Sequence, residues 1–122
     1  MRLFDLLHPN KVEPTRMVLP PLTPQELALL QDDLRARERD GGRWPKEARD
    51  TAAAQAAYNL GQLYVRSGRI EDGVALWRAS ALFYESIDRV VMAIALWKAI
   101  QRDRPTAEAE ERLAALSKRM GW

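Results

Sequence analysis

Val74-Ala75-Leu76-Trp77-Arg78-Ala79 returns twenty residues later as Ile94-Ala95-Leu96-Trp97-Lys98-Ala99, with a like residue at each position. Around the first copy, Ile70, Val74, Trp77, Ala81 and Tyr84 recur at steps of four and three, which lines them along one side of a helix. The second copy sits in a run from Val90 to Ile100 that is apolar nearly all round, so its helix needs cover on more than one side. Small, apolar and aromatic residues recurring on successive helices describe an all-α stack of antiparallel helices, a short α-solenoid. In such a stack each unit buries its face against its neighbours. Trp77, Tyr84 and Trp97 lie on these stripes and read as core.

Upstream of the first copy, Ala52 to Ser67 holds almost only helix formers and apolar residues, with Ala53, Ala56, Leu60, Leu63 and Tyr64 to one side, and Gly68 stops it. Between the copies, Glu85-Ser86-Ile87-Asp88 contains neither Gly nor Pro. Ser86 or Asp88 is the candidate N-cap of a helix over 88–102, and a single bent helix over 70–102 is the alternative. Asp103-Arg104-Pro105 ends that segment. A last helix over 106–119 carries Ala109, Leu113, Leu116 and Met120 on one stripe and stops at Gly121. Strand signals are absent.

The N-terminal part reads differently. Thr23-Pro24-Gln25-Glu26 is a capping box, in which the Thr23 hydroxyl and the Glu26 carboxylate satisfy each other's backbone amides. Leu27, Leu30 and Leu34 follow as one narrow stripe, so this helix packs by one face and serves as a cap; Gly41-Gly42 ends it. Trp44-Pro45 reads as a further helix entry, with Glu47 and Asp50 near its beginning. Residues 1–22 contain Pro9, Pro14, Pro20 and Pro21, which favour an extended tail or a short linear motif for another protein. The chain thus divides into a Pro-rich tail (1–22), a helix with its Gly-Gly linker (23–44) and a helical domain (45–122).

Composition narrows the function. At 122 residues, 47% hydrophobic and 30% charged, the chain is a single folded domain. It has no cysteine, so disulfides and thiolate metal sites are excluded, and its one histidine, His8, lies in the tail, too isolated for a catalytic triad or a metal site. Asp32-Asp33 and Glu110-Glu111 are sequence neighbours, which diverge on a helix rather than converge on a substrate. No glycine-rich phosphate loop is present. These features argue against an enzyme and against any cofactor, metal or small-molecule substrate. Acids and bases are interspersed and the net charge is only +2, which describes solvated helix faces rather than a phosphate-binding stripe. Nothing reads as a signal peptide or a membrane span, and a cytoplasmic location is expected.

Leu60-Gly61-x-x-Tyr64, closed by Gly68, and Ala93-x3-Trp97, followed by Pro105, resemble the tetratricopeptide repeat family over residues 51–120. Gly73, Trp77 and Glu85 stand where that family usually has Ala, an aromatic and Pro. The frame set by Leu60-Gly61 makes 88–102 the first helix of a second unit; the frame set by Ala93 and Pro105 makes it the second helix. The resemblance implies a partner-binding inner surface on the first helix of each unit, here Gln55, Tyr58, Asn59, Gln62 and Arg66. Amides with a terminal guanidinium suit an extended peptide backbone and a carboxylate. Only Asn59 matches the family's carboxylate clamp. Trp44 and Trp122 lie outside the helical stripes and read as end caps or partner anchors. About two units leave end faces that need cover, from a helical partner subunit or by self-association. The implied function is a protein–protein interaction module, an adaptor or accessory subunit. A chaperone-like or regulatory subunit with its own tail in the groove is the second reading. A basic nucleic-acid-binding protein, resting on a pI of 9.2 alone, is the third.

Overall fold

The computed structural model describes residues 21–39, 41 and 45–121; the tail up to residue 20, Trp44 and Trp122 lie outside them. Among the described residues five helices follow one another without a strand: α1 (Pro24–Arg39), α2 (Thr51–Arg66), α3 (Ile70–Ser86), α4 (Val90–Asp103) and α5 (Ala107–Arg119). Each packs on its sequence neighbours, giving a short α-solenoid. Trp77 and Trp97 are 2% and 1% exposed, wedged between layers.

Two turns set the stacking, and they are copies of each other. After α2, Arg69 N–H donates to Tyr64 O (2.8 Å) and Gly68 N–H to Val65 O (3.0 Å). After α3, Arg89 N–H donates to Tyr84 O (2.8 Å) and Asp88 N–H to Glu85 O (3.0 Å). Both are Schellman closures, which satisfy the last carbonyls while a left-handed residue reverses the chain. Gly68 takes that conformation at φ 95°, and Asp88 takes it at φ 61° without being glycine. The twenty-residue echo in sequence is therefore also an echo of backbone. The candidate N-caps Ser86 and Asp88 are corrected: Arg89 occupies the N-cap of α4 with no side-chain cap bond, and Asp88 is the reversing residue. The bent-helix alternative is excluded by the same turn.

Packing between α2 and α3 depends on missing side chains. A Cβ on Gly73 would meet Gly61 O and Val65 Cγ2, each at 2.6 Å, and one on Gly61 would meet the Trp77 ring at 2.5 Å. Trp77 Nε1 donates to Tyr58 O (3.1 Å) and the buried Ser80 hydroxyl donates to Ala54 O (2.9 Å), so the crossing is also hydrogen-bonded. The α2 stripe expected from sequence is rotated in consequence. Ala54, Ala57, Gly61, Leu63 and Tyr64 are buried while Ala56 is exposed, because the smallest residues turn to α3 and the larger ones to α1.

Pro45 to Asp50 is not helical; the helix entry expected at Trp44-Pro45 falls instead at Thr51, where the Asp50 carboxylate caps Ala53 N–H (2.7 Å). In α1 the capping box forms as read, with Glu26 N–H to Thr23 Oγ1 at 3.1 Å and Thr23 N–H to Glu26 Oε1 at 2.9 Å. Its leucine stripe is buried only at Leu30, Leu34 being half-buried and Leu27 44% exposed. Thr106 caps α5, whose Ala109 and Leu116 are buried and whose Met120 is exposed.

Candidate partner-binding face

Exposed residues on α2 form a row with helical spacing i, i+4, i+7: Gln55, Asn59 and Gln62. The row is exposed because α1 and α3 take up the other sides of the helix, through Leu63 and Tyr64 on one flank and Ala54 and Gly61 on the next. Gln55 Nε2 donates to Asn59 Oδ1 at 3.3 Å, a long bond between two exposed amides that a ligand can replace. Tyr58 is half-buried against the core beside this row, and its hydroxyl contributes to the field at Arg102 of α4.

Arg66 does not join the row as a free cation. Its guanidinium donates to both oxygens of Glu26 (Nη1–Oε2 3.0 Å, Nη2–Oε1 3.2 Å) and to Pro21 O (3.2 Å). The Glu26 carboxyl is held below the usual range by the Arg66 hydrogen bonds first and the Thr23 amide second. Arg66 therefore clasps α1 to α2. The Trp44 and Trp122 anchors lie outside the described residues.

Sequence reasoning missed a second row. Thirty-six residues beyond Gln55, Asn59, Gln62 and Arg66 stand Val91, Ala95, Lys98 and Arg102, all four exposed on α4. Val91 is 60% exposed, so α4 is covered by α3 and α5 but left open along this line. The signal was available as the repeated i, i+4, i+7, i+11 spacing; the apolar character of Val91 and Ala95 disguised it as core. Arg102 bonds Asp103 (2.8 Å), and that bond is the first cause of its raised pKa. The Arg102 side chain nevertheless remains 68% exposed. At its start the row opens into a cleft of about 520 Å³ lined by Arg89, Val90, Val91, Met92 and Met120, where Asp88 is paired with Arg119.

The remaining polar clusters hold helices together. Glu85 accepts from Trp97 Nε1 (2.7 Å) and Arg112 (3.0 Å), tying α3 to α4 and α5. Arg78 and Glu108 form a two-point bridge (2.7 and 2.9 Å) that lowers the Glu108 pKa. No helix among the described residues is long and apolar enough to cross a membrane. No group of three His, Asp or Glu side chains among them could hold a metal ion. No protein-family model, curated protein or solved structure matches this chain.

Proposed function

We propose that this chain is a non-enzymatic interaction module that holds a segment of another protein against the open face of α2 and α4. The observation that carries the reading is the exposed amide row Gln55, Asn59, Gln62. Each amide offers a donor and an acceptor, which is what the main chain of an extended peptide requires. On this reading the stack of adjacent helices, tetratricopeptide-like in order, gives such a segment a surface to lie on. The test is affinity capture with the whole chain against the variant Gln55→Ala/Asn59→Ala/Gln62→Ala, with circular dichroism as the folding control. All three positions are exposed, so the helix signal should persist while the captured partner is lost. Retention of every partner in the variant would refute this face.

One contact favours the second, autoregulatory reading. Pro21 O is bound by Arg66 at the C-terminal end of α2, and Leu22 packs on the cluster of Leu30, Leu63 and Tyr64. The proline-bearing segment therefore joins the domain next to the end of the amide row. Deleting residues 1–20 should raise partner affinity on this reading; unchanged affinity argues against it.

A further inference from the structure

The face just described has a charge balance that specifies its occupant. Its exposed residues on α2 are uncharged, and those on α4 are Val91, Ala95, Lys98 and Arg102. Of the acids near it, Asp88 is paired with Arg119 and Asp103 with Arg102 itself, which leaves Lys98 as the unbalanced charge of the row among the described residues. Along α4 this surface thus offers apolar side chains at one end, Val91 and Ala95, and cations at the other, Lys98 and Arg102. Resting on the reading of this face as a peptide site, we infer that its occupant is an acidic, extended segment of another polypeptide. It sets an apolar side chain in the cleft at Val91, Met92 and Met120 and carboxylates on Lys98 and Arg102.

Magnitudes separate the cations that can serve from the one that cannot. The Arg66–Glu26 bridge is bidentate with side chains only 18% and 31% exposed, so a ligand would have to break a shielded clasp. The Arg102–Asp103 pair is a single bond between adjacent residues with the Arg102 side chain 68% exposed; such pairs contribute about 0–1 kcal/mol, which an incoming carboxylate can replace. Length fixes the spacing. Val91 to Lys98 and Val91 to Arg102 are seven and eleven helical residues, about 10 and 16 Å. An extended chain covers these in about three and five residues. The recognised pattern is one bulky apolar residue with acids three to five positions away.

The probe is a fluorescein-labelled nine-residue peptide with one leucine and glutamates three and five residues from it, made in both chain directions in a serine–glycine background. Fluorescence anisotropy should show binding of one direction, at least tenfold weaker binding when both glutamates become glutamine, and steep weakening between low and high salt. Lys98→Glu/Arg102→Glu should abolish binding, and the milder Lys98→Gln/Arg102→Gln should weaken it, with helix content retained in both. Val91→Ser should weaken the leucine peptide and leave an alanine counterpart unchanged. Equal binding of the glutamate and glutamine peptides, binding of neither, or indifference to the Lys98/Arg102 variants overturns the inference. If the amide triple variant still loses its captured partner in that case, the broader reading survives and only the acidic specificity falls.

Discussion

Helix α2 meets α3 through backbone and tryptophan, but it meets α1 through a small leucine cluster and the tips of charged side chains. At the first junction Gly61 and Gly73 bring two backbones into near contact and Trp77 fills the remaining space. At the second, Leu30 is the one fully buried leucine α1 contributes, Leu34 packs partly buried on the same cluster, and a polar clasp completes the junction. Tyr64 Oη donates to Asp33 (2.6 Å), Arg37 donates to the same carboxylate (2.8 Å), and Arg66 grips Glu26. Burial, then the Asp33 carboxylate, pushes the Tyr64 hydroxyl well above the usual phenol range, so it stays a donor at any physiological pH. Burying one leucine is worth about 1.5–3 kcal/mol. The difference teaches that α2–α5 form the cooperative body, and α1 is a cap whose attachment depends on side-chain hydrogen bonds.

The largest test of this contrast is Trp77→Ala, which should cost about 3–5 kcal/mol and bring the whole domain near unfolding in urea denaturation. Gly73→Ala comes next. The added methyl has backbone on one side and Val65 on the other, so overpacking should cost about 1–3 kcal/mol. Tyr64→Phe keeps the ring and deletes one hydrogen bond to a carboxylate, a loss of about 1.5–3 kcal/mol concentrated in α1. Hydrogen exchange should then quicken in α1 amides and stay slow in α3; equal acceleration in both would erase the distinction between cap and body.

Acid should act in the same direction. Glu26 and Glu108 both titrate below their ordinary value of 4.5 in the folded chain. Their stabilisation is complete above that value and is lost as pH falls through the lowered folded pKa, since the unfolded chain takes up protons first. Thermal unfolding at pH 7 and pH 3 should show this slope, and Glu26→Gln should flatten part of it. The smallest effect is expected from Asp88→Gly. Relief of the left-handed conformation is worth up to about 1 kcal/mol. Loss of the exposed pair with Arg119 offsets some of that, so the urea midpoint should rise slightly.

Periodicity made α3 and α5 readable, since their stripes follow helical spacing and bury Trp77, Ala81 and Tyr84 on the one and Ala109 and Leu116 on the other. The capping box of α1 was readable because its partners lie three residues apart. The amide row was readable too, as polar residues off the core stripe, and Gln55, Asn59 and Gln62 are exposed. The pairing of Arg66 was not readable because its partner, Glu26, lies forty residues away, beyond any local pattern. The start of α4 was misassigned because a Schellman turn usually announces itself with glycine, and here aspartate fills the left-handed position.

What the sequence determined by itself is the all-α class and the buried tryptophans Trp77 and Trp97, because helical spacing encodes these directly. Which cations remain open to a partner was decided only in three dimensions. Arg66 and Arg102 stand thirty-six residues apart near the ends of α2 and α4, yet α1 reaches the first with a shielded carboxylate while the second is paired with its own neighbour Asp103 and stays 68% exposed.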